Sequence, residues 1–128
     1  MKKLIYIVDN EPDICDFSSY YLMKHFDGVT IKTFSSSWPA IEELALETPD
    51  LVITDYCRTE DPISTGVFLS LIKFNLYGKR PKVFLVSGYA KTAMTKVGHL
   101  VDACLAKPLN LEDLMNKIYY LLNDHLLN

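Results

Sequence analysis

Leu4-Ile5-Tyr6-Ile7-Val8, followed at once by Asp9-Asn10-Glu11-Pro12, is the stretch on which the fold turns. A short run that is almost wholly apolar reads as a strand covered on both faces, the kind found in parallel sheets. Pro12 then stands where a first helical turn tolerates a residue without an N–H. Ile14, Phe17, Tyr21, Leu22 and His25 follow at helical spacing and predict a helix over 12–26. Asp27-Gly28 is its stop and turn signal.

The same alternation continues outward. Residues 29–34 alternate and are rich in β-branched side chains, so they read as a strand. Ser37 is the expected N-cap of a second helix, with Pro39 in its first turn and Ile41, Leu44 and Ala45 on one face. A strand at 51–54 follows Pro49, and a polar stretch from Tyr56 to Thr65 leads into a helical run over 67–74. Tyr77-Gly78-Lys79-Arg80-Pro81 ends it. Residues 82–86 are the most β-like run of the chain, 90–100 read as a modest helix with weak periodicity, and 103–106 as a short strand. Asn110 caps a last helix reaching about Leu122, with Leu114, Met115, Ile118, Leu121 and Leu122 inward. Five strands and five helices in strict alternation imply an α/β domain, a parallel sheet with helices on both faces. Right-handed crossovers leave a doubly wound sheet as the leading topology.

Composition fits one domain over residues 1–128, with no repeat, linker or low-complexity stretch. A net charge of −3 argues against direct nucleic-acid binding. No apolar run approaches the length of a membrane span, and only five apolar residues follow Met1-Lys2-Lys3, too few for a signal peptide. Cys15, Cys57 and Cys104 are odd in number and widely spaced, without a CxxC, so neither a disulfide framework nor a zinc site is expected. His25, His99 and His125 read as structural or solvent-facing. A cytoplasmic location follows as the expectation.

In doubly wound sheets, ligands bind at the carboxyl ends of the strands. Those ends carry Asp9-Asn10-Glu11, Asp55, Ser87-Gly88 and Lys107-Pro108. Taken singly, each is an ordinary turn or capping residue. Together they bring carboxylates, a hydroxyl and an ammonium to one rim. Carboxylates repel one another, so an oxygen-seeking divalent cation is their natural partner, and Mg²⁺ suits one or two carboxylates plus a phosphate. The lysine and hydroxyl are suited to phosphoryl oxygens.

Over essentially its whole length the chain resembles a response-regulator receiver domain, similar to the single-domain regulators of the chemotaxis type. The residues that carry the resemblance are Ile5 through Pro12, Pro49 through Asp55, Val83 through Gly88, and Leu105 through Leu109. It implies a flavodoxin-like (βα)5 domain with strand order 2-1-3-4-5. It also implies that Asp55 accepts a phosphoryl group from a sensor histidine kinase or a histidine phosphotransfer protein. Asp9, Asn10, Asp55 and the backbone carbonyl of Cys57 then stand at the Mg²⁺-ligand positions. Ser87 and Lys107 contact the aspartyl phosphate, and the bond from Lys107 to Pro108 is expected to be cis. Such a domain is not an enzyme beyond its own phosphorylation and dephosphorylation. It signals to a downstream protein through the surface of its fourth helix, fifth strand and fifth helix.

The sequence departs from the family pattern in places. Asn10 puts a neutral amide where the family has a second carboxylate. Glu11 either compensates or complements the dipole of the first helix. Cys104 replaces the switch aromatic, and reads either as a strand cysteine or as a redox-sensitive thiol. Tyr89 either screens the phosphoryl group from water or packs at the edge. The loop after Tyr56, with Arg58, Glu60 and Asp61, is a few residues longer than usual, and the segment between Ser87 and Lys107 is slightly short. These departures motivate an alternative: a phosphorylation-independent pseudo-receiver that acts as a protein-binding module. No output module follows the last helix, so output is expected through protein contacts, and Tyr119, Tyr120, Leu126 and Leu127 are candidates for a weak homodimer contact.

Overall fold

The structure is a computed structural model that describes residues 2–56, 64–74 and 79–123. Its elements are β1 (Lys3–Val8), α1 (Pro12–His25), β2 (Val29–Phe34), α2 (Ser37–Leu44), β3 (Leu51–Asp55) and α3 (Thr65–Lys73). They continue with β4 (Lys82–Ser87), α4 (Ala90–Val97), a 3₁₀ turn (Gly98–Leu100), β5 (Ala103–Ala106) and α5 (Leu111–Leu122). The strands form one parallel sheet in the order β2-β1-β3-β4-β5, the doubly wound order expected.

The apolar run in β1 is explained by what lies on each side of it. Leu4, Tyr6 and Val8 pack with α2, α3 and α4, while Ile5 and Ile7 pack with α1 and α5. β4 divides in the same way, Val83 and Leu85 to one side and Phe84 and Val86 to the other. A side-chain period of two, with both sides dry, leaves no position open to water from Leu4 to Val8. Tyr6 is fully buried, and its hydroxyl keeps a partner by donating to the Glu47 carbonyl at 2.8 Å. Burial, followed by the nearby Glu43 and Glu47 carboxylates, pushes this phenol above its ordinary pKa despite the opposing charge of Lys32.

At the amino end of the sheet, the Asp50 carboxylate accepts from the Leu4 amide at 2.9 Å and from Lys79 Nζ at 3.1 Å. Asp102 performs the same task for the outer strand, accepting from the Val83 amide at 2.7 Å while its own N–H donates to the Val83 carbonyl. These local ties leave the opposite, carboxyl end of the sheet to the four rim segments.

Several boundaries differ from the sequence reading. The cap of α2 is Ser36, and Ser37 is a buried first helical residue. α3 begins at Thr65, two residues before the apolar periodicity does, because Ser64 Oγ accepts from the Val67 amide and closes the first turn. The helix expected over 90–100 is α-helical only to Val97 and tightens into the 3₁₀ turn. α1 ends at His25, and its inward face is Cys15, Ser18 and Leu22, so the aromatic residues at helical spacing lie at its margin and outside. Phe17 stacks obliquely on Tyr21 there, with centroids 4.8 Å apart. Tyr119 and Tyr120 are exposed, and Tyr119 stacks on Phe26. Cys57, Arg58, Glu60 and Asp61, Tyr77-Gly78, His125, Leu126 and Leu127 lie outside the described residues.

Candidate functional site

β1 hands the chain to the rim at Asp9, whose N–H donates to the Phe34 carbonyl at 3.0 Å, one step beyond the strand. Asp9 Oδ1 accepts from the Glu11 amide at 2.9 Å, a local turn that fixes the carboxylate before α1 starts at Pro12. Cys15, on the first turn of α1, donates its thiol to the Asp9 carbonyl at 3.5 Å. Burial and the neighbouring Asp9 charge push that thiol above its ordinary pKa, so it is a packing group and not a thiolate. Glu11 occupies the N-cap position without a side-chain capping bond, which leaves its carboxylate for another partner.

Asp55 is the last residue of β3 and is buried. Its Oδ1 accepts from the Tyr56 amide at 2.6 Å. One strand over, Ser87 ends β4 with no exposed surface. Ser87 Oγ accepts from the Tyr89 amide at 3.0 Å and makes no other hydrogen bond among the described residues, so its O–H is unspent. The Lys107 N–H donates to the Ser87 carbonyl at 2.9 Å, extending the β4–β5 ladder by one residue. The Lys107–Pro108 bond that follows is cis, as expected.

Lys107 binds the rim together. Its Nζ donates to Asp55 Oδ2 at 3.0 Å, to Asp9 Oδ2 at 3.2 Å and to Glu11 Oε1 at 3.2 Å. An ammonium has three N–H groups, and all three are used. Burial works against the charged lysine, but the hydrogen bond and charge of Asp55, and then those of Asp9, outweigh it and hold its pKa above the usual lysine value.

Carboxylate oxygens of Asp9, Glu11 and Asp55 all lie within 4.8 Å of one another. Three carboxylates meet one ammonium there, so acidic groups outnumber basic ones among these four side chains, and every carboxylate donor is a hard oxygen. That set fits a divalent cation of the Mg²⁺ class. The void behind Asp9 and Asp55, walled by Ile14, Val86, Leu109 and Leu114, is only ≈ 10 Å³. It admits about one water, so any larger ligand must sit on the open rim.

Of the residues expected at the site, Asp9, Asp55 and Lys107 meet directly, and Ser87 flanks them through the backbone. Glu11 joins the cluster, a position its exposed place before α1 does not by itself announce. Asn10 is exposed, and the Cys57 carbonyl lies outside the described residues. The Tyr89 ring is 70% exposed, so it does not pack at an edge. Cys104 is half-buried against the α2–α3–α4 side of the core, and burial pushes its thiol up, the environment of a strand cysteine and not of a reactive one.

No family model matches the chain, and no curated protein matches its sequence. Solved structures do. The chain superposes on NtrX from Brucella abortus with a TM-score of 0.85 at 22% identity, over 99% of this chain and 28% of that one. A CheY-like response regulator receiver domain protein from Methanospirillum hungatei gives 0.75 at 23% identity, over 97% and 96% of the two chains. A response regulator receiver domain protein from Clostridium thermocellum gives 0.76 at 23% identity, over 98% of each. Sheet order, the rim at the strand ends and these likenesses agree: the chain has the fold of the response-regulator receiver domains.

Proposed function

We propose that the chain is a phosphoacceptor receiver of two-component signalling, modified on Asp55 by the phosphohistidine of a sensor kinase or a histidine phosphotransfer protein. The observation that carries this reading is Lys107 Nζ, 3.0 Å from the buried Asp55 carboxylate and bonded also to Asp9. A structural ion pair needs one carboxylate. A lysine holding a buried carboxylate beside two more is suited to a group that gains phosphoryl oxygens.

Asp55 attacks the phosphorus in line through a carboxylate oxygen; the P–N bond breaks as the P–O bond forms, and the imidazole leaves and takes a proton. Lys107 follows the charge from the carboxylate to the new phosphoryl oxygens. Ser87 donates its unspent O–H to one of them, pulling on the turn it shares with Tyr89 at the start of α4. Asp9, Glu11 and Asp55 would hold a Mg²⁺, which would supply positive charge to the phosphoryl oxygens. The readout is then a shift in the populations of α4 and its surroundings, which a downstream protein senses.

Trapping tests this reading: after reaction with a small phosphodonor and Mg²⁺, borohydride reduction and peptide mapping are expected to mark Asp55 alone. Label on another residue overturns it. A second reading, the phosphorylation-independent binding module, is favoured by Lys107 itself, whose three bonds already neutralise part of the site without a metal. Partner binding unchanged by Asp55→Asn would support that second reading.

A further inference from the structure

The charges of this chain are unevenly placed. Residues 62–101 hold six cations, Lys73, Lys79, Arg80, Lys82, Lys91 and Lys96, and no acidic residue, while all 16 acidic residues lie elsewhere. This basic segment builds α3, β4 and α4. α3 adds a second anomaly. Inward it presents Phe68, Leu69 and Ile72, as a surface helix should, but Val67, Leu71 and Phe74 face outward and are 53%, 48% and 69% exposed. Their spacing, i, i+4 and i+7, makes one continuous row, and Lys73 is the helix's sole charge. A surface helix covered by the protein on one side only is expected to be polar on the other. α4 lies against it, since a Cβ at Gly66 would meet Val97 Cγ1 at 3.8 Å. The outward face of α4 carries Lys91, Met94 and Lys96. Among the described residues, Lys73, Lys91 and Lys96 enter no ion pair.

We propose that the α3–α4 face docks an acidic amphipathic helix of a partner protein. The row formed by Val67, Leu71 and Phe74 receives apolar anchors at helical spacing, and Lys73, Lys91 and Lys96 pair with carboxylates that flank them. Nucleic acid is disfavoured because the apolar row offers nothing to phosphates and the chain as a whole is acidic. An anionic bilayer is disfavoured because the excess negative charge of the remaining chain would oppose it. The surface lies across the sheet from α1 and α5.

The probe is a synthetic helix of about five turns with Leu at i, i+4 and i+7 and Glu at the remaining outward positions. Controls are its Glu→Lys counterpart, phosphatidylglycerol vesicles and a short DNA duplex. Titration of ¹⁵N-labelled protein is expected to shift amides of 64–74 and 90–97 with the acidic peptide. Leu71→Ser with Phe74→Ser, and separately Lys73→Glu with Lys96→Glu, are each expected to weaken binding at least about tenfold. Leu71, Phe74 and Lys96 are exposed and Lys73 is half-buried, so melting temperatures should stay within a few degrees of wild type. Shifts absent from these helices, equal binding by the lysine peptide, or tighter binding to vesicles or DNA would overturn the proposal.

Discussion

The Lys107 ammonium and the Glu11 carboxylate, far apart in sequence, meet at 3.2 Å on the rim of the sheet. Glu11 thereby stands as the third carboxylate of a cluster in which Asn10, its neighbour, brings no charge.

Glu11 should therefore matter to cation binding. Glu11→Gln is expected to weaken Mg²⁺ binding about tenfold, equivalent to ~1.4 kcal/mol. Asn10→Asp is expected to tighten it and to shrink the effect of Glu11→Gln. Calorimetric titration of the unmodified protein reads both. If Glu11→Gln stays within twofold of wild type while Asp9→Asn abolishes binding, Glu11 has no share in the site.

On the proposed reading, Lys107 and a bound Mg²⁺ would neutralise the same carboxylates. Without metal, Lys107→Ala leaves Asp9, Glu11 and Asp55 facing one another, and a loss of ~2 kcal/mol is expected, discounted because Glu11 is largely exposed. Saturating Mg²⁺ should restore most of it in urea unfolding. An equal loss with and without Mg²⁺ would show that the two cations do not share a duty.

Asp50 governs part of the acid response. Burial opposes its charge, but the Leu4 amide and then Lys79 outweigh that and hold its pKa below the ordinary aspartate value. A folded pKa below the unfolded one gives stability that is present above the unfolded value of ~3.9 and lost as pH falls through the folded one. Asp50→Asn should flatten this part of the stability profile below pH ~4 in urea titrations. A profile of unchanged steepness would remove Asp50 from the acid transition.

Aromatic residues of the two layers should behave oppositely. Phe84→Ala empties a fully buried position between the sheet and α5 and is expected to cost ~3–5 kcal/mol. Tyr120→Ala removes a ring that is 57% exposed and should change stability by less than ~0.5 kcal/mol. Thermal melts separate the two, and a large loss for Tyr120→Ala would mean that the ring packs within the domain.

Much of this was legible in the residues. The β1 run announces its burial on both sides, the alternation of elements leads to a doubly wound parallel sheet, and the family resemblance supplies the strand order observed. What escaped was set by tertiary contact. Thr65 and Gly66 are poor helix formers, so only the Ser64 cap reveals that α3 starts there. Three successive serines at 35–37 offer equivalent caps, and burial of Ser37 leaves the role to Ser36. Glu11 reads either as a first-turn charge or as a compensating carboxylate until Lys107 arrives from the end of β5 to meet it. No local pattern encodes that meeting.

The central claim is that Asp55 accepts a phosphoryl group, and intact mass reads it most directly. Wild type and Asp55→Asn would be incubated with a small phosphodonor, with and without Mg²⁺. A single phosphoryl adduct on wild type, dependent on Mg²⁺ and absent from the variant, is the expected result. An adduct of equal yield on Asp55→Asn, or none on wild type even with phosphohistidine donors, would contradict it.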